Sequence, residues 1–306
     1  MTRRLSVLLS PLAFLLALSP LGSDAGVTGE STRSAPGRTV RDEIGRQVQV
    51  PSHPRRIVSL APSVTETLFA LGAGDNVVGV TEFCDYPPAA GSKARIGGMV
   101  NPNWEAIMDL EPDLVVATTA GNDRNAVAQA EALQLPLFFL NTPDIGSLLE
   151  SLIRLGELVG HPARARALRD ALTGRLERLE RRSSAGPRPR VLFLVWSEPI
   201  VVPGRRTFLD DALRRTGCES ISSDGPSGWP TYDLETVLLR NPEWILAAAQ
   251  NAPFLDGLKE RPGWRRLEAV RRGRVAAVNP ALERPAPRVI EAMEQLQELL
   301  EKGEKK

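Results

Sequence analysis

The sequence is poor in the side chains that bind metals and do acid–base work. Its 306 residues include two histidines, His53 and His161, and two cysteines, Cys84 and Cys218. So few ligands exclude a histidine-rich zinc or iron site, and two cysteines cannot staple a scaffold of this length. An excess of one charge is missing too: 38 Lys and Arg against 37 Asp and Glu leave a formal net charge of +1. That removes the basic field behind nonspecific nucleic-acid binding. Aromatic residues are few, with five Trp, two Tyr and eight Phe, so the place of each large ring is informative. What is present is ordinary globular material: 42% hydrophobic and 25% charged residues suffice for real cores. The length predicts about two domains.

The opening segment reads as an address. Arg3 and Arg4 form a charged start, and Leu5 to Leu18 is apolar apart from two Ser and Pro11. Ser23-Asp24-Ala25 places small residues where a signal peptidase cuts, so residues 1–25 are expected to be a signal peptide. A membrane anchor needs roughly 20 apolar residues, and Pro11 and Pro20 interrupt this run. No Cys precedes Cys84, so no thiol near the cleavage point can carry a lipid. Residues 26–38, rich in Gly, Ser, Thr and Arg, read as a disordered leader. The mature protein is expected to be soluble outside the cytoplasm.

The rest of the chain alternates. Thr39 to Val50 reads as a hairpin around Gly45-Arg46, and Arg56 to Leu60 as a buried strand. Ser63 opens a helical run with Glu66 three residues on, the capping-box spacing, and Gly72-Ala73-Gly74 stops it. Strands at 77–80, 114–117 and 137–140 alternate with helices at 105–110 and 126–133, the signature of parallel α/β layers. Then 145–159 and 162–184 read as helices with no strand between them, Pro162 suiting the first position of its helix. Alternation resumes at Val191.

The second half repeats the first. Asn103-Trp104-Glu105-Ala106-Ile107 through Glu111-Pro112-Asp113 to Ala117 aligns without a gap with Asp233-Leu234-Glu235-Thr236-Val237 through Asn241-Pro242-Glu243 to Ala247. Glu105 and Glu235 are 130 residues apart, as are Pro112 and Pro242. The expected fold is α/β: two similar lobes joined by a single long backbone helix, with a ligand cleft between them. The expected boundaries are 39–145 for the first lobe, 146–187 for the helical segment and 188–306 for the second lobe.

The stretch from Arg56-Ile57-Val58-Ser59-Leu60-Ala61-Pro62-Ser63 to Leu71-Gly72 carries a family resemblance, together with Val78-Gly79-Val80, Asp85-Tyr86-Pro87-Pro88 and Leu110-Glu111-Pro112-Asp113-Leu114-Val115. It resembles the helical-backbone class of substrate-binding proteins, which serve ABC importers for vitamin B12, siderophore-bound iron and haem. The resemblance covers about residues 39–300. It is dense in the first lobe and looser in the second, where Trp196, Pro199 and Trp229-Pro230 carry it. Within the class the cobalamin binders are most similar. The resemblance implies a corrinoid as transported ligand, no cofactor, an ABC permease dimer as partner, the periplasm as location, and a monomer that is not an enzyme.

Glu105 and Glu235 each fall in the opening turn of a short helix, where the helix dipole favours a carboxylate by up to ~1 kcal/mol. That alone explains two partnerless acids. Their equivalent places in the repeat suggest more, a two-pronged grip on a symmetric partner, and the resemblance implies docking into Arg pockets on the two permease subunits. For the ligand the candidates are Phe83, Tyr86, Met99, Trp196 and Trp229, which follow strands or precede the repeat helices. Packing in a core or loop is the plainer reading of each. Phe83 and Met99 stand where the best-known cobalamin binder has Tyr and Trp, which weakens the ligand assignment. Trp104 and Trp244 are expected to be packing residues.

Cys84 lies inside the proposed ligand loop, where its thiol could approach a bound metal centre, although burial is the commoner fate. Cys218 reads as a small buried residue. No metal site is expected: His53 sits beside Pro54, and His161 reads as a helix cap. A ferric siderophore is the nearest rival ligand, with Arg205-Arg206 as its basic side chains, and haem would take Tyr86 as axial ligand. An extracytoplasmic enzyme is the rival class. It lacks a nucleophile–His–acid set, a Gly-x-Gly-x-x-Gly loop opening a helix, and a phosphate-cradling Gly-Lys-Ser/Thr loop.

Overall fold

The structure is a computed structural model that describes residues 37–123, 125–184, 186 and 188–304. The expected signal peptide and nearly all of the expected leader lie outside the described residues. An antiparallel hairpin comes first, β1 (Gly37–Arg41) against β2 (Gln47–Pro51). Asp42 closes its turn, accepting from the Ile44 and Arg46 N–H groups and from the Arg46 guanidinium at 2.7 Å.

The first lobe follows as β3 (Ile57–Ser59), α1 (Pro62–Ala70), β4 (Val77–Val80), β5 (Ala94–Arg95), α2 (Trp104–Asp109), β6 (Leu114–Thr118), α3 (Asn125–Ala132) and β7 (Leu137–Leu140). Its five strands pair in parallel in the order β5-β4-β3-β6-β7. Every residue of β3, β6 and β7 is buried, as a parallel sheet covered on both faces requires, which is why these strands read as unbroken apolar runs.

Two helices come next, α4 (Ile145–Leu158) and α5 (Pro162–Ser183). At 1.5 Å per residue, α5 extends about 33 Å. It passes from one core to the other: Ala165 packs with Val64, Leu68 and Leu155 in the first lobe, Leu172, Leu176 and Leu179 with Val191 and Phe193 in the second. Leu168 touches both cores. The antiparallel α4 is shared in the same way, Ile145 to Leu152 with the second core and Leu155 and Leu158 with the first. The two helices cross closely at Gly156, where a Cβ would stand 2.2 Å from that of Ala165.

The second lobe contains β8 (Arg190–Leu194), β9 (Trp196–Ser197), β10 (Ile200–Val201), α6 (Phe208–Arg215), β11 (Glu219–Ser220), β12 (Thr231–Tyr232), α7 (Leu234–Arg240), β13 (Trp244–Ala248), α8 (Ala252–Asp256), α9 (Glu268–Arg271), β14 (Val275–Val278) and α10 (Val289–Glu304). Its parallel sheet runs β11-β8-β13-β14, and a small antiparallel sheet runs β12-β10-β9. Both parallel sheets grow outward from their first strand and then reverse, between β3 and β6 in one lobe and between β8 and β13 in the other. Crevices at such reversals open beyond the carboxyl ends of the strands.

The repeat is reproduced in hydrogen bonds. Asn103 caps α2 by accepting from the Ala106 N–H at 3.1 Å, and Asp233 caps α7 by accepting from Thr236 at 2.7 Å. Glu111 and Asn241 end these helices with positive φ, 44° and 37°. The Asp113 carboxylate accepts from the Arg55 and Arg56 N–H groups, and Glu243 accepts from that of Arg190. Side chains of Arg56 and Arg190 donate in turn to carbonyls at the ends of α2 and α7.

Two local readings are corrected. Helix α1 begins at Pro62 after Ala61, with no side-chain cap, so Ser63 and Glu66 form no capping box. His161 precedes α5 but its side chain makes no cap hydrogen bond.

Candidate functional site

Among the described residues few large apolar side chains are uncovered, and the candidate rings are prominent among them. Phe83 is 58% exposed, Tyr86 40%, Trp196 58% and Trp229 54%. By contrast Trp104 is half-buried, and Trp244 and Trp264 are buried in cores. Uncovered rings cost a folded protein apolar burial and mark surfaces meant to be covered by something else.

Each ring follows from local structure. Phe83 and Tyr86 belong to the loop leaving the carboxyl end of β4. Phe83 lies along Gly98, beside Met99. Met99 is half-buried with its methyl against Gly121, where a Cβ would fall 2.1 Å from it. Trp196 opens β9 just past β8, its indole N–H donating to the Glu198 carbonyl at 2.9 Å. Trp229 leads into β12, and β10 pairs with both β9 and β12, so the two tryptophans flank one short strand. Thus the structure gathers Phe83, Tyr86 and Met99 at the carboxyl edge of one sheet, and Trp196 and Trp229 at that of the other.

Two asparagines brace these edges, one within each lobe, and sequence reasoning missed both. Asn122 Nδ2 donates to the carbonyls of Leu60 and Met99 at 2.8 and 2.9 Å, while its Oδ1 accepts from the Thr118 N–H. Asn251 Nδ2 donates to the Val195 carbonyl at 3.4 Å, next to Trp196. Each spans the point where its sheet reverses. Isolated polar residues in loops carry no periodic signal, and these two stand 129 residues apart, one short of the repeat spacing and beyond its gap-free stretch, so the repeat did not expose them.

The carboxyl edges of the two sheets meet in an ion network. Glu66 of α1 accepts from Arg284 at 2.9 Å and, through both oxygens, from Arg288 at 2.8 and 2.7 Å. Arg284 also reaches Asp85 at 2.6 Å, and the Arg288 guanidinium lies 3.6 Å from the centre of the Tyr86 ring. Hydrogen bonding from Arg284 holds the Asp85 carboxyl below its ordinary range. Burial works against the charge on Arg284, but Asp85 and Glu66 outweigh it and raise its pKa. Neighbouring Glu283 behaves oppositely: burial pushes its carboxyl up, despite a hydrogen bond from Gln250 at 2.9 Å.

The remaining candidates separate clearly. Glu105 and Glu235 are exposed in the first turns of α2 and α7. The Cys84 thiol is buried between the hydroxyls of Thr65 and Thr81, both at 3.1 Å, so it faces the core instead of the exposed loop. Cys218 is buried as expected, which pushes its thiol up to about 12, and both cysteines are free. Arg205 is engaged with the Gly225 carbonyl at 2.7 Å. Among the described residues no group of His, Cys, Asp or Glu could hold a metal ion, and no helix is long and apolar enough to cross a membrane.

Comparison with known proteins gives a consistent result. Residues 57–282 match the family described as periplasmic binding protein. An uncharacterised ABC transporter substrate-binding lipoprotein of Bacillus subtilis is 31% identical over 273 residues, 85% of this chain and 84% of its own. Among solved structures, the periplasmic vitamin B12-binding protein of Vibrio cholerae superposes with a TM-score of 0.74 at 27% identity, covering 83% of this chain and 99% of that one. The periplasmic haem-binding protein of Roseiflexus sp. RS-1, in its apo form, gives 0.75 at 26% identity, covering 81% and 98%.

Proposed function

The chain belongs to the periplasmic binding protein family, and from that premise we propose that it is the extracytoplasmic receptor of an ABC importer. In this reading it captures cobalamin or a related corrinoid between its lobes and delivers it to a permease dimer. The observation that carries the reading is the exposure of Phe83, Tyr86, Trp196 and Trp229 in a chain with few aromatics. A corrin is a large flat ring with amide arms, so its site needs apolar walls with a few polar groups at the rim. Phe83, Tyr86 and Met99 supply such a wall on one lobe, Trp196 and Trp229 on the other. The likeness to a vitamin B12-binding protein supports this ligand.

No bond of the ligand is made or broken, and the protein needs no cofactor. Delivery rests on Glu105 and Glu235, the exposed acids at matched places in the two lobes, each engaging an Arg pocket on one permease subunit. Haem is the second reading, favoured by the part-exposed Tyr86 phenol beside Arg288 and by the likeness to a haem-binding protein.

Calorimetric titration of the purified mature protein with cyanocobalamin, cobinamide, haem and a ferric siderophore separates these readings. The expected result is corrinoid binding at micromolar concentration or below, weakened about tenfold or more by Trp196→Ala with Trp229→Ala. Haem binding without corrinoid binding replaces the first reading with the second.

A further inference from the structure

Glu66 sits within α1, where every residue from Pro62 to Leu68 is buried, and is itself only 3% exposed. A carboxylate in such a place is costly unless it is paired and hydrogen-bonded. Its partners come from the other lobe, 218 and 222 residues later. Arg288 grips it through two nitrogens in a fork, and Arg284 shares the same carboxylate while holding Asp85. Two acids and two guanidiniums thus balance in charge. The network joins α1 and the Asp85–Tyr86 loop of one lobe to the segment between β14 and α10 of the other.

We propose that Glu66 is a positioning residue. It holds the two lobes at one separation in the empty protein and, through Arg284 and Arg288, fixes the loop that carries Tyr86. Helices α4 and α5 connect the lobes through their packing in both cores; the bridge ties the lobes at a second place by giving two part-buried guanidiniums a single buried anchor. Neutralising Glu66 leaves Arg284 with Asp85 alone and takes from Arg288 the carboxylate it grips, so the guanidiniums turn further to water by letting the lobes part. The ligand then meets a site that is competent for only a fraction of the time, and its apparent affinity falls by that fraction. Only this last consequence rests on the corrinoid reading; the lobe separation is independent of it.

The test is a distance measurement between nitroxide labels at Ala128→Cys in α3 and Lys259→Cys in the second lobe, both exposed positions. The native Cys84 and Cys218 are buried and escape labelling. In the ligand-free mature protein, pulsed electron spin resonance is expected to give one narrow distance. Glu66→Gln is expected to broaden it or add a longer population, with Glu66→Asp intermediate. Cyanocobalamin affinity is expected to fall about tenfold or more in Glu66→Gln, and added cyanocobalamin to restore the narrow distance.

A second variant guards against misfolding. The combination Glu66→Gln, Arg284→Gln and Arg288→Gln removes three of the four charges of the network and leaves only the exposed Asp85, and removing buried partners together is tolerated better than removing one of them. It should show the same broadening. A single wild-type distance in either folded variant overturns the proposal. If the wild-type protein binds no corrinoid, the ligand reading fails while the distance measurement still decides the role of Glu66.

Discussion

The two repeat units share their skeleton and differ on their outer face. In both, a short helix is capped by a polar side chain, stopped by a residue with positive φ, and followed by a Pro-acid turn whose carboxylate holds the backbone entering the neighbouring strand. In both, β6 and β13 are buried at every position. Yet one turn beyond the matched glutamates, on the same face, lies Asp109 in the first lobe and Leu239 in the second. The backbone's need for hydrogen-bond partners fixes what may stand at a cap or turn. Nothing in the fold fixes what stands on an uncovered face, so divergence there reports on partners.

The largest effect should come from the feature the lobes keep in common. Glu105→Ala together with Glu235→Ala is expected to abolish transport in proteoliposomes carrying the permease, with calorimetric ligand affinity unchanged. Each single change should weaken delivery by a similar factor, about tenfold, as charge-assisted contacts to Arg do. A single variant that loses everything while the other loses nothing would break the equivalence of the two prongs.

How far sequence carried the reading follows the same division. The gap-free repeat, the long helix and the central strands were legible because each rests on a local pattern: buried apolar runs, a proline at a helix start, a turn acid. The two-residue strands β9, β10 and β12 were not legible, since two residues make no period. Glu66 was misread because its spacing from Ser63 imitates a cap, while its true partners lie more than two hundred residues away. The exposed rings were legible as candidates because aromatics are scarce; their supporting asparagines, Asn122 and Asn251, were not.

The next effect tests the skeleton itself. Asp113 satisfies two backbone N–H groups, Glu243 one. Asp113→Ala should therefore cost about 2 kcal/mol and Glu243→Ala about 1 kcal/mol. Urea unfolding with an unchanged slope measures both. Equal losses would mean that the longer Glu243 arm has a role the hydrogen bonds do not record.

A smaller contrast concerns two carboxylates at the facing edges of the sheets. Asp85 is held below its ordinary range by hydrogen bonding from Arg284, so it stabilises the fold at neutral pH, and that contribution is lost only as pH falls through the lowered value. Glu283 is raised by burial, so the folded protein holds the extra proton, and stability falls as pH rises from the ordinary glutamate range through the raised value. Urea midpoints between about pH 3 and pH 7 should show Asp85→Asn least stable relative to wild type at pH 7, the gap closing in acid. Wild type should gain on Glu283→Gln as pH falls. Parallel pH profiles for the two variants would remove the contrast.

The smallest effect on the fold is expected where the lobes differ most. Leu239 is 87% exposed, so Leu239→Asp removes nothing from a core, and Asp109→Leu only adds an apolar side chain to the surface. Each should leave stability within about 0.5 kcal/mol. Their value lies in the partner. A leucine one turn from Glu235 is worth about 1.5–3 kcal/mol if the permease covers it fully, and less if it covers part. Leu239→Asp is therefore expected to weaken delivery about fivefold with ligand affinity unchanged, whereas Asp109→Leu leaves delivery intact. If both substitutions are silent in transport, the asymmetry between the lobes is only drift at a position that neither fold nor partner reads, and the two glutamates carry the docking alone.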